Sequence, residues 1–195
     1  LSVILPNQIE TIGSSAFSGC KYLEQVTIGK YTLSIGGNAF YGCIRLNSIN
    51  FPSELQYINV NAFTNCDALT EITLPNSLKT IGYSAFSNCD KLAKVDLGQG
   101  VTEIDNYAFS TCPSIKEIVI PNSTTSIGEY AFNKCTTLAK VTVGDSTITI
   151  GASAFNECIE LTTVVLGKKV ETIGGNAFYG CSRLSSINFP AELKY

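Results

Sequence analysis

Cysteine is the residue type with the most reactive side chain in this sequence, and its eight copies recur at a constant spacing of 23 residues. They are Cys20, Cys43, Cys66, Cys89, Cys112, Cys135, Cys158 and Cys181. Thiols bind metals, form disulfides or act as nucleophiles. A zinc site requires ligands only a few residues apart, usually including histidine. The chain has no histidine and no closely spaced cysteine pair, so we expect neither a metal site nor a cofactor.

The sequence also disfavours disulfide formation and nucleophilic catalysis by the cysteines. Each ends an Ala-Phe-x-x-Cys motif, which predicts inward, parallel side chains and therefore eight free, buried thiols that act as small apolar groups. Without histidine there is no Ser-His or Cys-His nucleophile pair. The segment 82–86 comes near a nucleophile elbow, but its final glycine is replaced by Phe86. We therefore predict that the protein is not an enzyme.

The motif containing each cysteine is part of a longer repeat. It reads Ile-Gly-x-x-Ala-Phe-x-x-Cys-x-x-Leu-x-x-Val-x-Ile-Gly/Pro and recurs without insertion or deletion. A fixed period of this length is typical of stacked-repeat solenoids. We expect one solenoid over residues 1–195, with about eight repeats, that is an uncapped fragment of a longer array. Segments 36–57 and 174–195 match at 18 of 22 positions, which suggests that the array contains duplicated blocks.

Each repeat predicts its own local structure. The Val-x-Ile alternation predicts a half-buried strand, and the residues ending in Ile12, Ile58, Ile81 and Ile104 predict a second, shorter strand. Ala16, Cys20 and Leu23 follow i, i+4, i+7 spacing, which predicts a short helical turn with these residues facing the core. The predicted fold is an α/β repeat solenoid, with one long parallel sheet on the concave face and helical turns on the convex side.

Two positions in the repeat have an unusual choice of residues. Only Gly, Asn and Asp occupy the position of Gly13, which predicts a left-handed corner there. Threonine replaces an apolar residue at Thr32, Thr124 and Thr147. Because apolar Leu33 and Ile148 follow two of these threonines, we expect the chain to shift register locally.

The repeat resembles the BspA-like (Treponema-type) leucine-rich repeat, and the resemblance covers essentially the whole chain. It implies a right-handed, horseshoe-shaped leucine-rich-repeat solenoid. It also implies a recognition or adhesion module of a cell-surface or secreted protein, with a protein or glycan partner. A structural spacer that carries a binding domain elsewhere in the parent chain is the alternative.

The outward side chains of the strands form the first candidate binding surface. By alternation they are Gln25, Thr27, Ser48, Asn50, Glu71, Thr73, Lys94, Asp96, Glu117, Val119, Lys140, Thr142, Thr163, Val165, Ser186 and Asn188. The charges in the middle favour protein docking, although a solvated sheet would show similar pairs. A second, convex candidate consists of Tyr83, Tyr107 and Tyr130, which could stack on sugars or a partner. The alternative is that these rings only cover the helical side and keep their hydroxyls in water.

Composition limits the partners further. A net charge of −3 with 15% charged residues disfavours nucleic acid binding. No apolar run approaches the length of a membrane span, so we expect no direct insertion into membranes. The strands near Val3 and Ile187 are expected to leave open edges, which predicts that the uncapped fragment self-associates end to end or frays at its first and last repeats.

Overall fold

The computed structural model describes residues 1–194, which fold into a parallel β-solenoid of 17 short strands. The odd-numbered strands, which we call the strand face, are β1 (Ser2–Ile4), β3 (Gln25–Thr27), β5 (Ser48–Ile49), β7 (Glu71–Thr73), β9 (Lys94–Asp96), β11 (Glu117–Val119), β13 (Lys140–Thr142), β15 (Thr163–Val165) and β17 (Ser186–Ile187). The even-numbered strands are β2 (Thr11–Ile12), β4 (Ser34–Ile35), β6 (Tyr57–Ile58), β8 (Thr80–Ile81), β10 (Glu103–Ile104), β12 (Ser126–Ile127), β14 (Thr149–Ile150) and β16 (Thr172–Ile173).

Every pairing is parallel and joins residues one repeat apart, as in Val3 with Val26 and Ile12 with Ile35. The even-numbered strands, which confirm the predicted second strand, form one unbroken eight-stranded sheet. The strand face instead consists of three sheets, with breaks between β5 and β7 and between β9 and β11. The prediction of one long sheet on this face is therefore wrong.

The first break follows a strand that ends early. Asn50 uses its side-chain Oδ1 to accept the Ile28 amide at 2.7 Å, while its Nδ2 donates to the Ile28 carbonyl at 3.2 Å. The side chain thus replaces the backbone ladder at this point, and β5 has only two residues. Asn188 binds Leu166 in the same way at the end of β17. A short polar side chain that bonds the backbone competes with regular strand pairing.

The predicted helical turns are wrong, because none of residues 1–194 forms a helix. Between the short strand and the cysteine, backbone amides alternate between two kinds of partner. The Phe40 amide donates to the Ala62 carbonyl of the next turn at 2.8 Å, whereas the Tyr41 amide donates to Asn38 of its own turn at 3.1 Å. An α-helix needs consecutive bonds within the segment. The inward orientation is nevertheless confirmed in the second turn, where Ala39, Cys43 and Leu46 are fully buried.

The left-handed corner lies at a different place from the one predicted. Positive φ angles occur two residues later, at Ser15, Asn38, Asn61, Ser84, Tyr107, Tyr130, Ser153 and Asn176. A second set follows at Gly19, Gly42, Asn65, Asn88, Thr111, Lys134, Glu157 and Gly180. Glycine at the predicted position has a steric reason instead. A Cβ on Gly128 would lie 2.5 Å from the Asn106 backbone nitrogen, and one on Gly36 would lie 2.7 Å from the Ile12 oxygen.

The core is a column of stacked phenylalanines beside a column of cysteines. The ring centroids of successive phenylalanines from Phe17 to Phe178 lie 5.1–5.5 Å apart, with interplanar angles of 2–7°. Each thiol from Cys43 onward donates to the carbonyl of the phenylalanine one turn back, as Cys112 does to Phe86 at 3.1 Å. We call these two columns the Phe–Cys core.

All eight cysteines are free, but the prediction that all are buried is wrong for two of them. Cys20 is exposed and Cys181 is half-buried, whereas the six between them are buried. Within residues 1–194, the seven thiols from Cys43 to Cys181 donate to a phenylalanine carbonyl, and Cys20 does not. Burial raises the pKa of the Cys43 thiol to about 11 and raises those of Cys66 and Cys135 well above the ordinary value.

The predicted register shift at the threonines is also wrong. Thr32, Thr124 and Thr147 are fully buried at the apolar position, while Leu33 and Ile148 are 37% and 42% exposed. Each threonine hydroxyl donates to a carbonyl of the preceding turn, as Thr124 does to Val101 at 2.8 Å. A satisfied hydroxyl removes the penalty for burying a polar atom. The chain therefore keeps its register and leaves the neighbouring apolar side chain in solvent.

Candidate functional site: a groove on the strand face

The middle of the strand face contains a groove of about 620 Å³. Its lining residues come from four successive turns and are Glu71, Ile72, Thr73, Ala93, Lys94, Val95, Asp96, Lys116, Glu117, Ala139 and Lys140. We call it the strand-face groove. It brings together six of the side chains predicted from alternation: Glu71, Thr73, Lys94, Asp96, Glu117 and Lys140.

The groove lies over the break between β9 and β11. In the flanking turns the Ala93 amide donates to the Thr70 carbonyl at 2.8 Å, and the Ala139 amide donates to Lys116 at 2.8 Å. The hydrogen bonds of residues 1–194 include no equivalent bond from the Lys116 amide to the Ala93 carbonyl. The two turns are neighbours, but their strands do not form a ladder.

A local turn at the end of β9 accompanies the break. The Asp96 Oδ1 accepts the Gly98 amide at 2.9 Å, and Gly98 has a φ of +65°. An aspartate that bonds the amide two residues on stabilises a tight turn rather than a continued strand. The break also uncovers the floor of the groove, because Val95 is half-buried while its equivalents Ile72 and Ile118 are buried.

The charges in the groove are balanced in number but only partly paired. Glu71, Asp96 and Glu117 face Lys94, Lys116 and Lys140. Lys94 Nζ lies 3.7 Å from Glu71 Oε2, and both side chains are largely exposed, so this pair adds little stability. The ion pairs of residues 1–194 do not include Lys116 or Lys140. Two ammonium groups are therefore available to an external partner.

An apolar strip continues from the groove toward β15. Val119 is 59% exposed and Val165 is 42% exposed, with Thr142 between them on β13. All three line a second depression of about 340 Å³. Exposed valines at equivalent positions of nearby turns provide an apolar contact next to the charged groove.

The other predicted residues of the strand face lie outside both depressions. They are Gln25, Thr27, Ser48, Asn50, Thr163, Ser186 and Asn188. Asn50 and Asn188 already use their amide groups to bind backbone. Alternation missed five groove residues: Ile72 and Val95, which it assigned to the core, and Ala93, Lys116 and Ala139, which precede the strands. The small side chains of Ala93 and Ala139, where other turns carry Glu24 or Asn47, were the available signal.

The tyrosines occupy the turn side of the solenoid. Tyr107 and Tyr130 stack with ring centroids 4.9 Å apart, and Tyr83 lies 5.4 Å from Tyr107. These three form the tyrosine cluster, and none of them lines the strand-face groove. Within residues 1–194, no cluster of three or more Cys, Asp or Glu side chains is arranged to hold a metal ion. The same residues include no helix that is long and apolar enough to span a membrane.

A parallel β-solenoid of about eight turns, with a Leu or Ile three residues before the central strand residue and one Phe–Cys pair in each turn, is typical of a leucine-rich-repeat protein. The family model for the BspA type leucine rich repeat region matches residues 1–116 and 102–195. The chain therefore belongs to the BspA-type leucine-rich-repeat family.

Solved structures show the same fold. A Treponema pallidum leucine rich repeat protein is 31% identical, with a TM-score of 0.68, over 94% of this chain and 78% of that one. A protein of Faecalibacterium prausnitzii described as a leucine rich cell surface protein is 25% identical, with a TM-score of 0.60, over 98% of this chain and 70% of its own. The pneumococcal vaccine antigen PcpA shares the fold at 24% identity and a TM-score of 0.71, over 99% of this chain and 61% of that one. A comparison with curated protein sequences finds no match.

Proposed function

We propose that this protein is a non-enzymatic recognition module of a cell-surface or secreted protein, which binds a protein or glycan partner and so contributes to adhesion. The observation that carries the proposal is the strand-face groove, where an interrupted ladder, two unpaired lysines and an apolar strip coincide. The leucine-rich-repeat fold generally serves as a non-enzymatic interaction scaffold. The cell-surface description of the Faecalibacterium protein supports the location.

The chemistry of the groove favours an extended segment of a protein. The groove extends across four turns, and acidic and basic side chains alternate along it. An extended peptide presents its side chains at regular intervals and could therefore pair with them. Carboxylates of the partner would pair with Lys116 and Lys140, and an apolar side chain would contact Val119 and Val165. Charge complementarity of this kind contributes mainly to orientation and specificity.

Selection of short random peptides displayed on phage against the 195-residue chain tests this function. We expect enriched peptides to carry acidic residues and to bind with an affinity that falls as salt concentration rises. The double variant Lys116→Glu/Lys140→Glu should weaken their binding at least about tenfold. Both lysines are exposed, so the fold should be retained, which circular dichroism and thermal melting would verify.

Lys79→Glu/Lys169→Glu is the matched control. Both residues are exposed, lie outside the groove and change the net charge by the same amount. Binding that responds equally to the two double variants would reflect net charge alone and would contradict the proposal. Failure to enrich any peptide would contradict the assignment of a protein segment to the strand-face groove.

A further inference from the structure

The tyrosine cluster is a second exposed surface with an organised geometry. Tyr107 and Tyr130 are nearly parallel, with an interplanar angle of 7°, and Tyr83 is tilted by 51° against Tyr107. Tyr83 is 44% exposed, and the other two rings are half-buried. Three successive turns therefore present a continuous set of aromatic rings to solvent.

The backbone makes this cluster unusual. Tyr107 and Tyr130 have φ angles of 60° and 55°, in the left-handed region that bulky residues avoid. At the same position the other six turns carry only serine or asparagine: Ser15, Asn38, Asn61, Ser84, Ser153 and Asn176. Asparagine is among the residues best suited to this conformation, so backbone preference does not explain two adjacent tyrosines. Residues held in such conformations cluster at functional sites.

The surroundings of the rings are polar and acidic. The Glu129 carbonyl accepts the Tyr107 amide at 2.8 Å, so Glu129 lies beside Tyr107 as well as next to Tyr130 in the chain. Loss of solvent contact, followed by the neighbouring Tyr130, Tyr83 and Glu129, raises the pKa of Tyr107. The Glu129 amide donates to the Asn106 Oδ1 at 2.7 Å, so the backbone beside the exposed Glu129 side chain is fixed. None of these groups is basic, which disfavours a phosphate or nucleic acid ligand.

The turn after Tyr130 leaves room for a ligand. It carries Ala152 and Ser153 where the preceding turn carries Glu129 and Tyr130, and the turn after that carries Gly175 and Asn176. No aromatic side chain continues the stack beyond Tyr130 at these positions. The aromatic set therefore ends against small side chains.

We propose that the tyrosine cluster binds carbohydrate, with the apolar C–H face of a pyranose packed on the tyrosine rings and sugar hydroxyls donating to the Glu129 carboxylate. Tyrosine suits this ligand because it combines an apolar ring with a polar tip. An acidic hydrogen-bond acceptor beside the rings matches the donor-rich edge of a sugar. The proposal rests on the proposed function in that it takes a glycan as one partner of the chain. It uses a different surface, so the two tests fail independently.

Titration with cellotetraose and with N-acetylchitotetraose tests the proposal, monitored by NMR of the 195-residue chain carrying 13C-labelled tyrosine. We expect shifts of the Tyr83, Tyr107 and Tyr130 ring signals with a Kd of about 1 mM for at least one sugar, a value typical of a small exposed site. Choline and a decaproline peptide serve as probes for a cation site and a protein site. Binding of either of them without binding of a sugar would overturn the proposal.

The variants are chosen to keep the fold. Tyr107→Ser/Tyr130→Asn introduces residues that other turns hold in the same backbone conformation, and it should weaken sugar binding at least about tenfold while thermal stability is unchanged or raised. Tyr130→Phe keeps the ring and should retain most of the binding. Tyr179→Ser removes an exposed tyrosine elsewhere and should have no effect. Sugar binding that survives the double variant, or no ring shift at ten times the expected Kd, would overturn the proposal.

Discussion

The Phe–Cys core and the strand face have the same period but opposite degrees of regularity. In the core, every turn contributes one phenylalanine and one cysteine at the same positions. The distance between the centroids of successive phenylalanine rings varies only from 5.1 to 5.5 Å. On the strand face, residues at one position change from Gln25 to Lys94 to Thr163, and the sheet itself breaks twice. Stacking requires uniformity in the core, whereas the surface is free to vary from turn to turn.

This contrast predicts where substitutions act. Changes in the Phe–Cys core should alter stability through both neighbouring turns, because each turn is held mainly by the next. Changes on the strand face should alter binding with little effect on stability, since surface substitutions usually lie within about 0.5 kcal/mol.

The largest expected effect is a difference in thiol reactivity. Cys112 is buried and bonded to Phe86, whereas Cys20 is exposed. Reaction at Cys112 requires opening of the central turns, so alkylation should be at least about a thousandfold slower than at Cys20, given typical opening free energies. Timed pulses of iodoacetamide followed by peptide mass spectrometry measure both rates.

Unfolding supplies the control for this measurement. In denaturant without reductant, all eight cysteines should react at similar rates, because all are free thiols. If Cys112 and Cys20 react equally fast in the native protein, then the core opens freely and the uniform column is not rigid.

Phe109→Ala should give the largest loss of stability. Phe109 is fully buried and stacks on Phe86 and Phe132 at 5.3 Å. Truncation of a buried phenylalanine lowers the free energy of unfolding by about 3–5 kcal/mol. Urea denaturation followed by tyrosine fluorescence measures the loss. Phe17→Ala in the first turn is the matched control and should cost less, since Phe17 is half-buried and stacks on one side only.

Gly128→Ala should have an intermediate effect. The added Cβ would lie 2.5 Å from the Asn106 nitrogen, so the two turns must separate, and overpacking of this kind costs about 1–3 kcal/mol. Gly13→Ala at the same repeat position has nothing within 4 Å of its Cβ and should be neutral. Thermal melting of the two variants compares them directly, and equal effects would show that backbone conformation, not the neighbouring turn, selects glycine here.

The sequence predicted the elements that depend on periodicity. The period itself, both strands, the inward direction of Ala39 and Cys43 and six residues of the groove follow from repeat spacing and alternation. Each of these is a property of a single position in the repeat, which the sequence shows eight times. The structure confirms the period, the strands and the inward direction, and it brings the six residues together, whereas their role in binding stays a prediction.

The features that depend on contacts between turns were not predictable in the same way. The i, i+4, i+7 spacing of Ala16, Cys20 and Leu23 suggests a helix. In the equivalent segment 38–43, however, half of the backbone amides donate to carbonyls of the next turn. Glycine at Gly128 suggests a positive φ angle, yet its cause is a neighbouring backbone. The break between β9 and β11 depends on hydrogen bonds that neither strand reveals alone, and the groove lies over this break. Sequence spacing therefore located the side chains but not the opening between them.

The smallest expected effect is that of Thr124→Val. The buried hydroxyl donates to the Val101 carbonyl at 2.8 Å, and valine fills the same volume without that bond. The loss should be about 0.5–1.5 kcal/mol, the net value of one intramolecular hydrogen bond. It should lie toward the lower end, because the Ser123 hydroxyl also donates to the Val101 carbonyl, at 2.7 Å, and keeps it satisfied. Urea denaturation measures the change.

Thr125→Val, one residue further along, is the control. Thr125 is exposed and its hydroxyl bonds the Thr102 carbonyl at 3.1 Å, where water can replace it, so the change should be close to zero. A gain of stability in Thr124→Val would show that the position favours an apolar side chain and that threonine is tolerated there. A loss above about 3 kcal/mol would exceed the value of one hydrogen bond and would mean that the turn changes register when the hydroxyl is removed. Because valine already occupies the equivalent position at Val101 and Val170 within the same uniform core, the smaller loss is the expected outcome.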